Sequence, residues 1–107
     1  MRGSTVKHRI KWGAIAALGL YAQLGWAQSD PLQVRSWAAA CSNCHGTMGV
    51  ALPGMESLAG VPRDELVKKL QDFKTGRKPA TIMHQLSKGY SDEQLEQLAA
   101  YFAALKK

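Results

Sequence analysis

The chain has only two cysteines, no apolar stretch of membrane-spanning length, no strand-like alternation and no internal repeat. Each shortage excludes something. A lone cysteine pair in an exported protein ordinarily suggests one disulfide, but Cys41 and Cys44 have just two residues between them and His45 directly behind, and that spacing argues against a simple staple. The apolar run Gly13 to Ala27 is 15 residues long, short of the ~20 that a spanning helix needs. Acids are missing from residues 1–12, where Arg2, Lys7, Arg9 and Lys11 stand. A basic start, an apolar middle and a small-residue exit at Gly25-Trp26-Ala27 form the order of a secretory signal peptide. The expectation is cleavage after Ala27, export to the bacterial periplasm and a working domain of residues 28–107.

Removing residues 1–27 takes four of the 14 bases and none of the eight acids, so the net charge falls from +6 to +2. The basic character of the whole chain is mostly a property of its leader, and no nucleic-acid partner is inferred from it. The remaining 80 residues are near the size at which one hydrophobic core is marginal and some staple is usual.

What is present reads as helix and loop. Asp30-Pro31 is a helix start, an N-cap acid with proline at the first helical position, and Leu32 to Ala40 form a short first helix delivering Cys41. Gly46 to Gly60, with four glycines and a proline, reads as a loop that wraps something. Pro62-Arg63-Asp64-Glu65 opens a second helix with its acids where the helix dipole favours them, and Thr75-Gly76 closes it. Leu66, Val67, Leu70 and Phe73 recur along it at helical spacing. A turn of helix is expected near Met83 to Leu86. Ser91 and Gln94 are placed as a capping box, ahead of an apolar stripe of Leu95, Leu98, Ala99, Phe102 and Leu105 on a last helix. The fold class is all-α, with three main helices joined by long loops, and such loops in so small a domain need an explanation.

Cys41-Ser42-Asn43-Cys44-His45 supplies one. It fits C-x-x-C-H, the attachment pattern of a c-type haem: two thioethers anchor one edge of the porphyrin, and the adjacent imidazole reaches the iron. The haem then stands in for the missing core. A thioredoxin-like pair would sit near a βαβ pattern, which is absent. A zinc site would have only Cys41, Cys44, His45 and His84 to draw on outside the leader.

For the opposite face of the iron, Met48 and Met55 follow His45 by three and ten residues and have little chain with which to cross the ring. Met83, 38 residues on, lies in a segment that can cover the far side, and His84 beside it is a competitor. A histidine and methionine pair raises the potential in cytochromes c and leaves no open iron position, which favours electron transfer over catalysis. Glu56, Asp64 and Glu65 read as a loop acid and helix-start acids, so no catalytic residues are assigned. Trp37, Tyr101 and Phe102 can meet where the terminal helices cross. Arg77, Lys78 and Lys88 flank the Met83 segment, placed for haem propionates or for a docking rim.

The stretches "AAACSNCHG", "SLAG", "ELVKKLQDFKTGRK" and above all "ATIMHQLSKGYSDEQLEQLAAYFAALK" resemble a class I, monohaem cytochrome c, and the last resembles the cytochrome subunit of flavocytochrome c sulfide dehydrogenase and its thiosulfate-oxidation relatives. The resemblance implies one haem c held covalently by Cys41 and Cys44, with His45 and Met83 as axial ligands; His84 then follows the ligand without binding iron. It also implies a partner, an FAD-containing flavoprotein that oxidises sulfide and passes electrons singly to the haem, which in turn reduces a further periplasmic carrier. The family's usual proline before Ser-Leu-Ala-Gly is Glu56 here, whose backbone carbonyl remains available to orient the proximal imidazole.

Overall fold

Asp30 starts the first helix as its sequence promises. Its carboxylate accepts the Leu32 amide at 3.0 Å, and Pro31 occupies a position whose N–H would have no helical partner. The structure, a computed structural model, describes residues 30–107; the expected leader of residues 1–27 lies outside the described residues.

Helix α1 runs Pro31–His45, so it does not merely deliver the cysteines but carries the whole C-x-x-C-H motif. Ser42 and Asn43 are poor helix formers without being breakers, and the Ser42 hydroxyl bonds back to the Ala38 carbonyl at 3.2 Å. The first residue that stops the helix is Gly46, at φ 88°, ψ 150°, a region essentially open to glycine alone. A Cβ there would also stand 1.9 Å from the Val50 carbonyl oxygen. Gly46→Ala is therefore expected to cost about 1–3 kcal/mol in backbone strain, with the collision added, and a denaturant melt of the variant would measure the loss.

Helix α2 spans Arg63–Lys74, with Asp64 and Glu65 in its first turn. Helix α3 is the short Met83–Lys88, and α4 spans Asp92–Ala103. The capping box is formed in full: the Gln94 amide donates to Ser91 Oγ at 3.1 Å, and the Ser91 amide donates to Gln94 Oε1 at 2.8 Å.

Helix α4 is the centre of the packing. It touches α1 and α2, and α2 also packs on α3. Leu95, Leu98, Ala99 and Phe102 on α4 are buried with Ala38 of α1 and Leu66 of α2, while Trp37 and Tyr101 pack partly buried against this cluster. Phe102 meets the neighbouring Tyr101 edge-on, with ring centroids 5.1 Å apart. Among the described residues seven apolar side chains are buried, three of them alanines, which is a thin core for a domain of this size.

The long loop after α1 is closed by backbone bonds. The Leu58 and Ala59 amides both donate to the Gly49 carbonyl, at 2.8 and 3.0 Å, and the Gly60 amide donates to the Phe102 carbonyl at 3.0 Å. At the other end of the molecule, Asp92 Oδ1 accepts from Lys74 Nζ at 2.9 Å and from Gln71 Nε2 at 3.1 Å, tying the start of α4 to the end of α2. The Lys74 bond, with the Gln71 bond second, holds the Asp92 carboxyl below its usual value. A depressed carboxylate adds stability that is complete above the ordinary carboxylate range and is lost as pH falls through the folded-state value. Asp92→Asn should therefore lower the melting temperature at neutral pH, and the two melting curves should converge on acidification.

Candidate haem site

Along α1, Cys41 and Cys44 are three residues apart and His45 is four from Cys41, so all three share one face. That face closes one side of a cavity of about 250 Å³, whose other walls are α2, α3, α4 and the loop around Met55 and Glu56. The walls are mainly carbon, with Leu66, Leu70, Phe73, Leu95 and Leu98 among them.

Cys41 is half-buried and Cys44 exposed. Burial pushes the Cys41 thiol up from its usual value. A thiol that resists ionisation is a poor redox nucleophile or metal thiolate, whereas a thioether carries no charge to desolvate. The zinc alternative has no geometric support: no group of three or more His, Cys, Asp and Glu placed for a metal occurs among the described residues.

His45 is held from behind. Its Nδ1 lies 2.5 Å from the Glu56 carbonyl oxygen. A carbonyl can only accept, so the proton sits on Nδ1 and the Nε2 lone pair is left for a ligand. The acceptor is the residue that stands in place of the family's proline, and its backbone performs the orienting role expected of that position.

The two competitors for the opposite side are placed differently. Met83, the first residue of α3, lines the cavity; its neighbour His84 does not, and His84 Nδ1 is buried with no partner. Met55 also lines the wall, but it adjoins Glu56, whose carbonyl engages His45, and so belongs to the His45 side. Met48 is exposed and away from the wall.

One buried polar group bears on what the cavity is built to hold. Ser87 of α3 is 1 % exposed, lines the cavity, and its hydroxyl has no hydrogen-bond partner. Buried hydroxyls are normally bonded, and this one is an exception in the cavity wall. Leu86 and Ile82, also in the wall, are about half exposed. A large flat apolar group anchored through two thiols and an imidazole suits the carbon-rich walls, the exposed Leu86 and Ile82 and the shared face of Cys41, Cys44 and His45, and these residues fit a haem c.

Several wall residues carried no signal in the sequence. Lys69 and Glu56 both line the cavity and pair with each other, although the sequence offers only an exposed-looking loop acid and a helix lysine. Tyr90, which burial pushes above its usual value, is also in the wall. Arg77, Lys78 and Lys88 are exposed, and none lines the cavity; the Lys78 ammonium lies 5.2 Å from the Phe73 ring centroid.

Fold and site together define an all-helical domain organised around a C-x-x-C-H haem anchor. Comparison with known proteins agrees. The chain is 36 % identical over 67 residues to the cytochrome subunit of sulfide dehydrogenase from Chlorobaculum tepidum, covering 63 % of this chain and 61 % of that one. It is 33 % identical over 104 residues to the thiosulfate dehydrogenase electron acceptor of Stutzerimonas stutzeri, covering 90 % of this chain and 48 % of the relative. It is 35 % identical over 75 residues to cytochrome c-553 of Helicobacter pylori, covering 68 % of this chain and 78 % of that one. The solved structure of cytochrome c4 from Acidithiobacillus ferrooxidans superposes with a TM-score of 0.67 at 24 % identity, over 87 % of this chain and 64 % of the other. No family model matches the chain. It spans about half the length of the thiosulfate dehydrogenase electron acceptor. The chain belongs to the cytochrome c family and has the class I cytochrome c fold.

Proposed function

We propose that the chain is an exported electron-transfer haem protein in which Cys41 and Cys44 hold one haem c covalently and His45 and Met83 are its axial ligands. The observation that carries this is the placement of all four side chains on the wall of one apolar cavity, with His45 Nδ1 engaged by Glu56 and Nε2 left free. When bound, the haem supplies one-electron redox chemistry. The chain's own contribution is to anchor, orient and dry the site. The α1 face fixes the edge, the Glu56 carbonyl sets the imidazole plane, and Leu66, Leu70, Phe73 and Leu98 exclude water. With His45 and Met83 both holding the iron, no position would remain for a substrate, and the domain would serve as a carrier rather than a catalyst.

The partner that we propose is an FAD-containing sulfide dehydrogenase, for which this chain is the periplasmic haem subunit, passing electrons on to a further carrier. Support comes from the sulfide dehydrogenase cytochrome subunit among its relatives and from the Met-His-Gln to Ser-Asp-Glu block of α3 and α4. Arg77, Lys78 and Lys88, exposed and outside the cavity, suit a positive docking rim. No described helix is long and apolar enough to cross a membrane. A second reading, a free carrier shuttling between a dehydrogenase and an oxidase, is favoured by the cytochrome c-553 relative, of which this chain covers 78 %. Mild isolation of the native protein separates the two. Co-purification with a flavin-containing chain, and reduction by sulfide only in its presence, supports the subunit. A monomer reduced at strongly salt-dependent rates by diffusing partners supports the shuttle.

A further inference from the structure

The residue whose carbonyl engages His45 is itself tied down by its side chain. The Glu56 carboxylate pairs with the Lys69 ammonium on α2, and Lys69 is held from its other side by Glu65, one turn earlier on the same helix, at 3.4 Å. The Lys69 side chain is 29 % exposed and lines the cavity beside Glu56. The pairing holds the Glu56 carboxyl below its usual value and the Lys69 ammonium above its own. Besides the His45 bond to its carbonyl, this ion pair is the side-chain hydrogen bond that ties Glu56 to a helix among the described residues.

We infer that the Glu56–Lys69 ion pair is a positioning device for the proximal ligand, clamping the Glu56 carbonyl onto His45 Nδ1–H and so setting the donor strength of the imidazole. The inference rests on the haem reading above. A short, well-aimed Nδ1–H bond to a carbonyl raises the basicity of the ligand at Nε2, which favours the oxidised iron and lowers the reduction potential. Freeing the carbonyl weakens the bond, and the potential rises. Lys69, as one ammonium between two carboxylates, keeps Glu56 in place without covalent stiffness in the loop.

The informative variant is the double Glu56→Gln, Lys69→Met. It breaks the pair while leaving net charge unchanged, so a shift in potential cannot come from an added or lost charge. Lys69→Arg, which keeps the pair, is the rescue. An equilibrium redox titration of the double variant should show the ratio of reduced to oxidised protein, at a fixed applied potential, rise by about tenfold, which is 59 mV for one electron. The Nδ1–H proton of the reduced protein, followed by NMR, should exchange with solvent about tenfold faster. Lys69→Arg should match the parent in both measurements. A double variant that is folded and holds haem, yet keeps the parent's potential and exchange rate, overturns the clamp; so does a Lys69→Arg variant shifted as far as the double. A parent protein without haem c bands overturns the haem reading and the clamp with it, so the two failures are distinguishable.

Discussion

Replacing Met83 with alanine is expected to abolish the weak red absorption band that marks methionine bound to oxidised haem, and to lower the reduction potential by on the order of 0.1 V, a fraction of the ~0.8 V range over which axial ligands tune haem. The thioether is a soft, neutral ligand that favours the reduced iron, and alanine leaves that face to water or to a neighbouring group. Met83 is the side chain at the head of α3 that reaches the cavity, while adjacent His84 does not. His84→Ala should therefore leave band and potential in place. If the band persists in Met83→Ala, the assignment of this ligand fails; if it disappears in His84→Ala, the two neighbours have exchanged roles.

The second large effect is on folding. Cys41→Ala with Cys44→Ala should yield a chain whose haem, if captured at all, is extracted by acidified organic solvent, and whose cooperative unfolding transition is largely gone. The reason lies in the thin core: seven buried apolar residues among those described, three of them alanines, arranged beside a cavity rather than around a filled centre. A domain of this size has about 5 kcal/mol or a little more in total stability, and a group that binds only the folded state adds to it by linkage. Losing the covalent anchor removes the effective concentration that keeps the centre filled. Either single variant keeps one thioether and should fall between the parent and the double in solvent extraction and in melting temperature.

How much of this was legible in the sequence depends on the range of the interaction. Local signals held. Asp30-Pro31, the Ser91 and Gln94 box and the Thr75-Gly76 stop act within a turn of the chain, and each appears where its residues place it. The C-x-x-C-H stretch was legible as chemistry but not as conformation. Nothing in Ser42-Asn43 announces that α1 continues to His45, because the decisive residue is the breaker beyond it, Gly46. Spacing alone leaves Met83 and His84 both in reach, since they are adjacent; in the structure Met83 lines the cavity and His84 does not. Glu56 read as a solvated loop acid because its partner Lys69 is 13 residues away on another element, and no periodicity links a loop to a helix face. Ser87, between exposed Leu86 and Lys88, is buried on a helix that packs against α2.

The most direct test is the absorption spectrum of the protein matured in an export-competent host, taken reduced in alkaline pyridine and paired with the intact mass. One haem per chain, with the band position of a haem whose two vinyl groups are both saturated by thioethers and a mass increased by a single haem, is the predicted result. A protein whose mass shows no haem, or whose Cys41 and Cys44 are recovered as a disulfide or on a zinc ion, would contradict it.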